Sequence, residues 1–489
     1  MNFLLLLPIV APLTAAAVAI IFGWRRLTSW VTVLAAFAVL VSGVILGFNR
    51  RPGVRFSILD LFRADSMTIT MLIVIGTVGT LATLASVGYI DAELAHGHTD
   101  AKGANLYGVL VPIFLAAMAS AVLANNIGVM WVAIEATTVA TAFLVGHHRT
   151  RAALEATWKY VVICSVGIAL AFLGTVLLYF ASLHAGATSA DALNIDVLLA
   201  HANRLDPAVT RLAAGLLLLG YGAKAGLVPF HTWLADAHSQ APAPVSALMS
   251  GVLLSVAFYA LLRVKSVVDL AVGIEFMRTG LIVVGLLTLL IAASLLLVQT
   301  DFKRMLAYSS MENMGLVAVA AAVGTKLAIA ALLLHVLAHG IAKTLVFLGS
   351  GQLQAAHDST RISDVKGVLT RSPMVGITFL VGLAILLGLP PFAMFASELS
   401  ISRSMAGAGL GWVLGAALLF VVVAFAALVR NGSAMMLGTP GAGSPAIVVP
   451  RSVAAALVAG VILSLVLGLP VGPLLNLFQT AATQLGGAR

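Results

Sequence analysis

Apolar runs of about 20 residues recur from one end of this 489-residue chain to the other. Each is long enough to cross a hydrocarbon core of about 30 Å. Within such a core only helices and closed barrels satisfy their own backbone, and uninterrupted runs of this length specify helices. Fourteen spans are expected, with cores near 3–23, 28–48, 66–89, 106–124, 127–146, 159–183, 209–234, 243–264, 279–299, 305–323, 327–351, 373–402, 410–430 and 452–475. Nothing between them is long enough for a soluble domain. The two longest connections are 184–208 and 431–451, the second rich in Gly and Pro and expected to be irregular. The first run has no basic leader and no small-residue cleavage site, so it reads as a retained helix.

Composition agrees: only 9% of residues are charged and the mean hydropathy is +1.09. A soluble chain would carry roughly a quarter charged residues. The net charge of +9 sits in short connections, where it concerns topology, and no basic stripe interleaved with aromatics suggests nucleic acid. With the N-terminus outside, the inner loops carry slightly more Lys and Arg. The short basic connections Arg149-Thr150-Arg151, Asp301 to Arg304 and Arg361 to Arg371 then all fall on one side, taken as cytoplasmic. The single cysteine, Cys164, rules out an intrachain disulfide and a cysteine-ligated cluster. No cofactor or metal is expected, and no quinone or nucleotide motif appears.

Five ionisable residues lie well inside the runs: Glu135, Lys224, Glu312, Lys343 and Glu398. Each costs at least about 2.5–3.5 kcal/mol at mid-span and therefore needs a reason. The plain reason for any one is an ion pair between helices, or a side chain reaching to the interface. The spacing of the set says more. Glu135 and Glu312 are 177 residues apart (312 − 135), and Lys224 and Glu398 are 174 apart (398 − 224). Each pair is five helices apart, so its members run in opposite directions. That pattern predicts two inverted five-helix repeats, helices 4–8 (105–265) and 9–13 (266–431), between N-terminal helices 1–3 (1–104) and a C-terminal helix 14 (432–489).

Helices 7 and 12 are expected to be broken. Gly226 and Pro229 follow Lys224, and Gly388, Pro390 and Pro391 precede Glu398. Proline removes a backbone donor, and open backbone at membrane depth is tolerated where it is buried or lines a hydrated cavity. A proline kink beside a buried pair is the plainer alternative. His335, His339 and Lys343 share one helix face by their spacing of four. That stripe suits a proton relay, since imidazole titrates near neutral pH. Structural histidines remain the alternative, and a zinc site lacks both the HExxH glutamate and an evident third ligand. His231, Asp236 and His238 after helix 7 either belong to a solvated loop or line a half-channel above Lys224.

At these residues the chain resembles the antiporter-like proton-pumping subunits shared by complex I, Mrp antiporters and group 4 membrane-bound hydrogenases. The motifs are WVAIEATT (131–138), GAKAGLVPFHTWLADAHSQAPAPVSALMSG (222–251), DFKRMLAYSSMENMG (301–315), HVLAHGIAKTLVFLGSG (335–351) and GLPPFAMFASE (388–398). Glu312 together with WVAIEATT makes the F-type membrane component of hydrogenase-4 the best match.

The resemblance implies that Glu135 pairs with Lys224 and that opening the pair drives a proton along a hydrated axis. It also places Lys343, His335 and His339 on that axis and Glu398 at its outlet. Where the family usually carries a helix 8 lysine or histidine, this chain has Ser250 and Ser255, so the connection between the halves needs water or another polar group. Glu312 is an extra acid, expected to pair with the His339–Lys343 stripe or, near the surface, with Lys303 or Arg304. The chain ends after helix 14 without a long lateral helix.

The function implied is proton translocation within a formate hydrogenlyase or hydrogenase-4 type oxidoreductase, by a subunit with no redox site of its own. Its expected partners are membrane and peripheral subunits of such an assembly, protons or Na⁺, and lipid, and its expected place is a prokaryotic inner membrane. A complex I subunit, an Mrp Na⁺/H⁺ antiporter subunit and a non-pumping membrane anchor are the alternatives.

Overall fold

The computed structural model describes residues 2–49, 56–58, 61–440, 445–469 and 471–485. The chain is an all-α membrane protein. Its helices are α1 (Asn2–Phe22), α2 (Arg26–Phe48), α3 (Ser66–Ala95), α4 (Ala101–Leu123), α5 (Ile127–Val145), α6 (Arg151–His184) and the short α7 (Ile195–His201). After these come α8 (Pro207–Lys224), α9 (Trp233–Gln240), α10 (Ala243–Val272), α11 (Ile274–Leu297), α12 (Phe302–Val323) and α13 (Lys326–His357). The last are α14 (Pro373–Leu386), α15 (Ala393–Gly407), α16 (Gly411–Met436), α17 (Arg451–Leu467) and α18 (Gly472–Gln484). A small antiparallel pair, β1 (Phe56–Ile58) and β2 (Phe62–Ala64), precedes α3.

Polar side chains start these helices. Asp65, Asp100, Asn126, Thr150, Asp206, Asp301 and Thr325 each accept a hydrogen bond from a free N–H of the first turn. Such caps fix where each helix begins and leave the apolar length to span the bilayer.

Eleven helices among the described residues are long and apolar enough to cross a membrane, or twelve if α17 and α18, bent by 73°, form one span. The expected count of fourteen includes two spans outside this set. The two others are the seventh and twelfth, which the proline placement marks as broken. Residues 209–234 divide into α8 and α9, and 373–402 into α14 and α15, so neither pair contains one continuous apolar helix. Gly226 (φ +77°) and Gly388 (φ +60°) turn the chain at the two breaks, a backbone region that side chains with a Cβ disfavour. The expected irregular stretch 431–451 begins later than its composition suggests, since α16 continues to Met436.

The span windows of α10, α12 and α13 are 100%, 94% and 94% buried, against 33% for α1 and 28% for α16. The interior helices are therefore those carrying Ser250, Glu312 and the His335–Lys343 stripe. α10 and α13 meet at Gly251 and Gly340, where a Cβ on Gly251 would lie 3.1 Å from the Gly340 carbonyl oxygen. Beside that contact α10 widens to a π-turn at Met249–Leu253. Such turns accompany functional sites frequently. The outward faces of peripheral helices present Trp158, Phe172, Leu419 and Val422 to the apolar surroundings.

Candidate functional site

Seven of the sequence-selected residues divide into two clusters, one around Lys224 and one around Lys343. Lys224 is the last residue of α8 and 1% exposed. The break that follows frees the carbonyls of the last helical turn, and the Trp233 indole donates to one of them, Ala223 O, at 2.9 Å. The Lys224 ammonium points to α5 and α6. It donates to Thr138 Oγ1 at 2.7 Å and to the Tyr160 hydroxyl at 2.6 Å. Thr138 in turn donates to Glu135 Oε2 at 3.0 Å, one turn back on α5. Acid and base are thus joined through a hydroxyl, which both accepts and donates. The expected close approach of Glu135 and Lys224 takes this bridged form.

In the second cluster Lys343 is fully buried and donates to the Leu306 carbonyl at 2.8 Å and to Ser309 Oγ. The same carbonyl accepts from Ser310 Oγ at 3.1 Å, and Ser310 meets Ser250 Oγ at 2.6 Å. A polar neighbour therefore links the Ser250 position on α10 to Lys343. The Ser255 hydroxyl is buried and lacks a hydrogen-bond partner among the described residues.

Glu312 is 6% exposed and accepts from Asn313 Nδ2 at 2.6 Å. It pairs directly with neither Lys343 nor the basic start of α12. Lys303 donates to Ala241 O at 2.9 Å and to Gln354 at 3.2 Å, and Arg304 donates to Asp236 at 2.6 Å. Asn313 connects Glu312 to the histidines, since its Oδ1 faces His335 Nε2 at 3.0 Å. His335 Nδ1 meets Ser397 Oγ at 3.0 Å, next in sequence to Glu398.

The protonation chemistry follows from donor counting. Both Asn313 Nδ2 hydrogens are used, toward Glu312 and toward Ser309 O at 2.7 Å, so Asn313 Oδ1 requires an N–H on His335 Nε2. Ser397 Oγ lies within reach of both His335 Nδ1 and the Met394 carbonyl, the latter at 2.7 Å. When His335 is neutral the hydroxyl donates to Nδ1. When the ring takes a second proton the hydroxyl turns to Met394 O and accepts instead. One rotor accommodates both states. The His339 ring stacks on His335 with centroids 6.5 Å apart, and its Nε2 lacks a partner among the described residues.

The group after helix 7 separates into three environments. His231 is half-buried at the break. Asp236 is held by Lys159 at 3.0 Å and Arg304 at 2.6 Å, an ion-paired node near the surface. His238 is fully buried, with its ring near Trp233 and Phe347 and neither nitrogen hydrogen-bonded among the described residues. Among the described residues no group of three or more His, Cys, Asp or Glu side chains is placed to hold a metal ion. Sequence reasoning missed the neutral members, Thr138, Tyr160, Ser309, Ser310, Asn313 and Ser397. Their one signal is polarity within an apolar run.

Residues 124–425, which contain both clusters, match the family described as NADH:quinone oxidoreductase/Mrp antiporter, transmembrane. The chain belongs to this antiporter-like family. It is 35% identical over 381 residues to the hydrogenase-4 component F homolog of Methylacidiphilum infernorum, covering 78% of this chain and 79% of that one. It is 28% identical to hydrogenase-4 component B of Escherichia coli over 73% of this chain, and spans about half (53%) of that longer relative. Two solved structures share the fold. One is a chain of an archaeal membrane-bound sulfane sulfur reductase, with a TM-score of 0.86, 24% identity and coverage of 99% and 97% of the two chains. The other is a chain of the Mrp complex of Dietzia, with a TM-score of 0.82, 22% identity and coverage of 99% and 98%. The sequence motifs that resemble this family thus fall inside the matched region.

Proposed function

We propose that this antiporter-like membrane subunit translocates protons within a hydrogenase-4-type oxidoreductase of a prokaryotic cytoplasmic membrane. The route would use Glu135, Lys224, His238, Glu312, His335, His339, Lys343 and Glu398. The observation that carries the reading is that both buried lysines have hydroxyl and carbonyl partners in place of carboxylates. An ammonium clamped directly by a carboxylate is stabilised in its charged form, whereas one held by neutral groups loses that anchor and releases a proton more readily. Glu135, one hydroxyl from Lys224, supplies the charge that biases the release. The two inverted repeats are part of the proposal, supported by a positive-φ glycine at each helix break. The kinship to a hydrogenase-4 component F homolog favours the hydrogenase-type assembly. The fold shared with an Mrp complex makes Na⁺/H⁺ exchange the second reading, which Na⁺-dependence of transport would separate.

Lys224→Ala, with proton uptake followed by a pH-sensitive dye in inside-out vesicles containing the whole assembly, tests the proposal. Coupled proton movement should be lost while electron transfer persists. Full pumping by the variant would leave a membrane anchor.

A further inference from the structure

A cleft of about 500 Å³ opens where the connections after α5 and α13 meet, since Thr150 and Asp358 both line it. Neither the family match nor the axis described above gives it a role. Its wall carries Glu93, near the end of α3, and His148, just beyond α5. Glu93 is a buried acid (7% exposed) whose two oxygens face two imidazoles. His148 Nε2 lies 2.8 Å from Oε1, and His147 Nε2 lies 3.4 Å from Oε2 without a well-formed hydrogen bond. The imidazoles address opposite oxygens and do not converge on one point, which suits sharing of protons and not metal ligation.

The cleft leads inward. Gln354, on its wall, accepts from the Lys303 ammonium at 3.2 Å. Lys303 is 1% exposed and lies within electrostatic range of both Glu93 and His238. His238 is in turn within range of Lys343 and His339. A solvent-facing cleft is therefore followed by an acid–imidazole cluster, a buried lysine, an unpartnered buried histidine and the axis.

We propose that the Glu93–His147–His148 cluster is a proton-loading site that gathers protons from the cleft and passes them through Lys303 and His238 to the Lys343 cluster. The step is a transfer of H⁺ from hydronium or a protonated buffer to the carboxylate–imidazole group, with no change in redox state. Besides the three loading groups, the titratable and charged side chains facing the site are Tyr89, Tyr107, Lys303, His96, His98 and Asp358. The inference rests on the proton-translocation reading, and the test separates the two.

Proton uptake is measured in inside-out vesicles holding the complete assembly, between about pH 6.5 and pH 8. The variants are Glu93→Gln, which keeps the side-chain shape, and His148→Asn at the cleft rim, with Lys224→Ala alongside. Free protons are scarcer at the alkaline end, so loss of the loading groups should slow pumping roughly threefold or more there and little at the acid end. A high concentration of imidazole buffer, carrying protons into the cleft, should restore the rate. A loss that is equal at every pH and unaffected by buffer would overturn the proposal in favour of a structural ion cluster. So would unchanged pumping in both variants while Lys224→Ala abolishes it. Unchanged pumping in Lys224→Ala would instead remove the translocation reading beneath it.

Discussion

Two buried charge systems in this chain, one at the margin of the spans and one along the axis, are built in opposite ways. Where β2 and α3 meet the far end of α10, Asp65 accepts two 2.6 Å hydrogen bonds from Arg263 and a third, at 3.4 Å, from Arg63. Arg63 is also tied to Asp196 at 2.7 Å, and Arg263 to Tyr259 at 2.8 Å. On the axis, Lys224 and Lys343 meet hydroxyls and a carbonyl; Glu135 stands one hydroxyl away from Lys224, and Glu312 connects toward Lys343 only through Asn313 and Ser309. The choice of cation agrees with the geometry. A guanidinium stays charged in any protein setting and binds a carboxylate through two parallel bonds, so the Asp65 cluster is a fixed clamp. An ammonium in low dielectric can give its proton up, so lysine with neutral partners suits transfer. Direct pairing fixes charge; a bridging hydroxyl lets it move.

The largest separation between the two should come from Asp65→Asn. Removing one partner leaves buried guanidiniums uncompensated, at a cost of about 3–5 kcal/mol. Assembly and thermal stability in detergent should fall steeply, while pumping per assembled complex stays near normal. Burial alone would raise the Asp65 carboxyl, but the Arg263 and Arg63 guanidiniums outweigh it and hold the group below the usual aspartate range. A depressed carboxyl stabilises the fold above its unfolded value, about 3.9, and that contribution is lost only as pH falls through the folded value. The melting temperature of the native protein should therefore not reflect this group between about pH 5 and pH 8. A variant that melts normally but pumps poorly would erase the distinction.

Glu312→Gln should do the reverse on a smaller scale. The amide oxygen can still accept from Asn313, so the stability change should stay near 0.5–1.5 kcal/mol by roughly the scale of one hydrogen bond. Pumping should drop several-fold, because the group can no longer take or give a proton. Quantifying assembly by native electrophoresis beside the vesicle assay checks both halves of this expectation.

Much of the fold is legible in the sequence because the bilayer imposes it. Runs near 20 residues mark eleven of the helices, and Gly226–Pro229 and Gly388–Pro391 mark the two breaks. The expected count of fourteen includes those two broken segments, each of which is two shorter helices and not one continuous apolar run. The charged members of the site were legible because charge inside an apolar run is conspicuous. Thr138, Ser310, Asn313 and Ser397 were not, because a neutral polar side chain in a helix usually bonds its own backbone, as Thr344 does with Gly340 O at 2.8 Å. Only the tertiary structure, which brings the Lys224 side chain to α5 and packs α12 on α13, shows which hydroxyls turn outward. Glu93 and Asp65 lie at the margins of spans, where a charge is ordinary, and their burial comes with partners distant in sequence, His148 for Glu93 and Arg263 for Asp65.

The hydroxyl of Thr138 tests the central claim most directly. Thr138→Val keeps Glu135, Lys224 and the helix-face shape while removing the one atom that joins them, and Thr138→Ser restores it. The measurement is the ratio of protons moved to electrons transferred in vesicles carrying each variant. The bridged-axis account predicts that valine lowers the ratio roughly tenfold, within the range of a lost proton-transfer group, and that serine recovers most of it. An undiminished ratio in Thr138→Val, with assembly intact, would contradict a proton route that runs through this bridge.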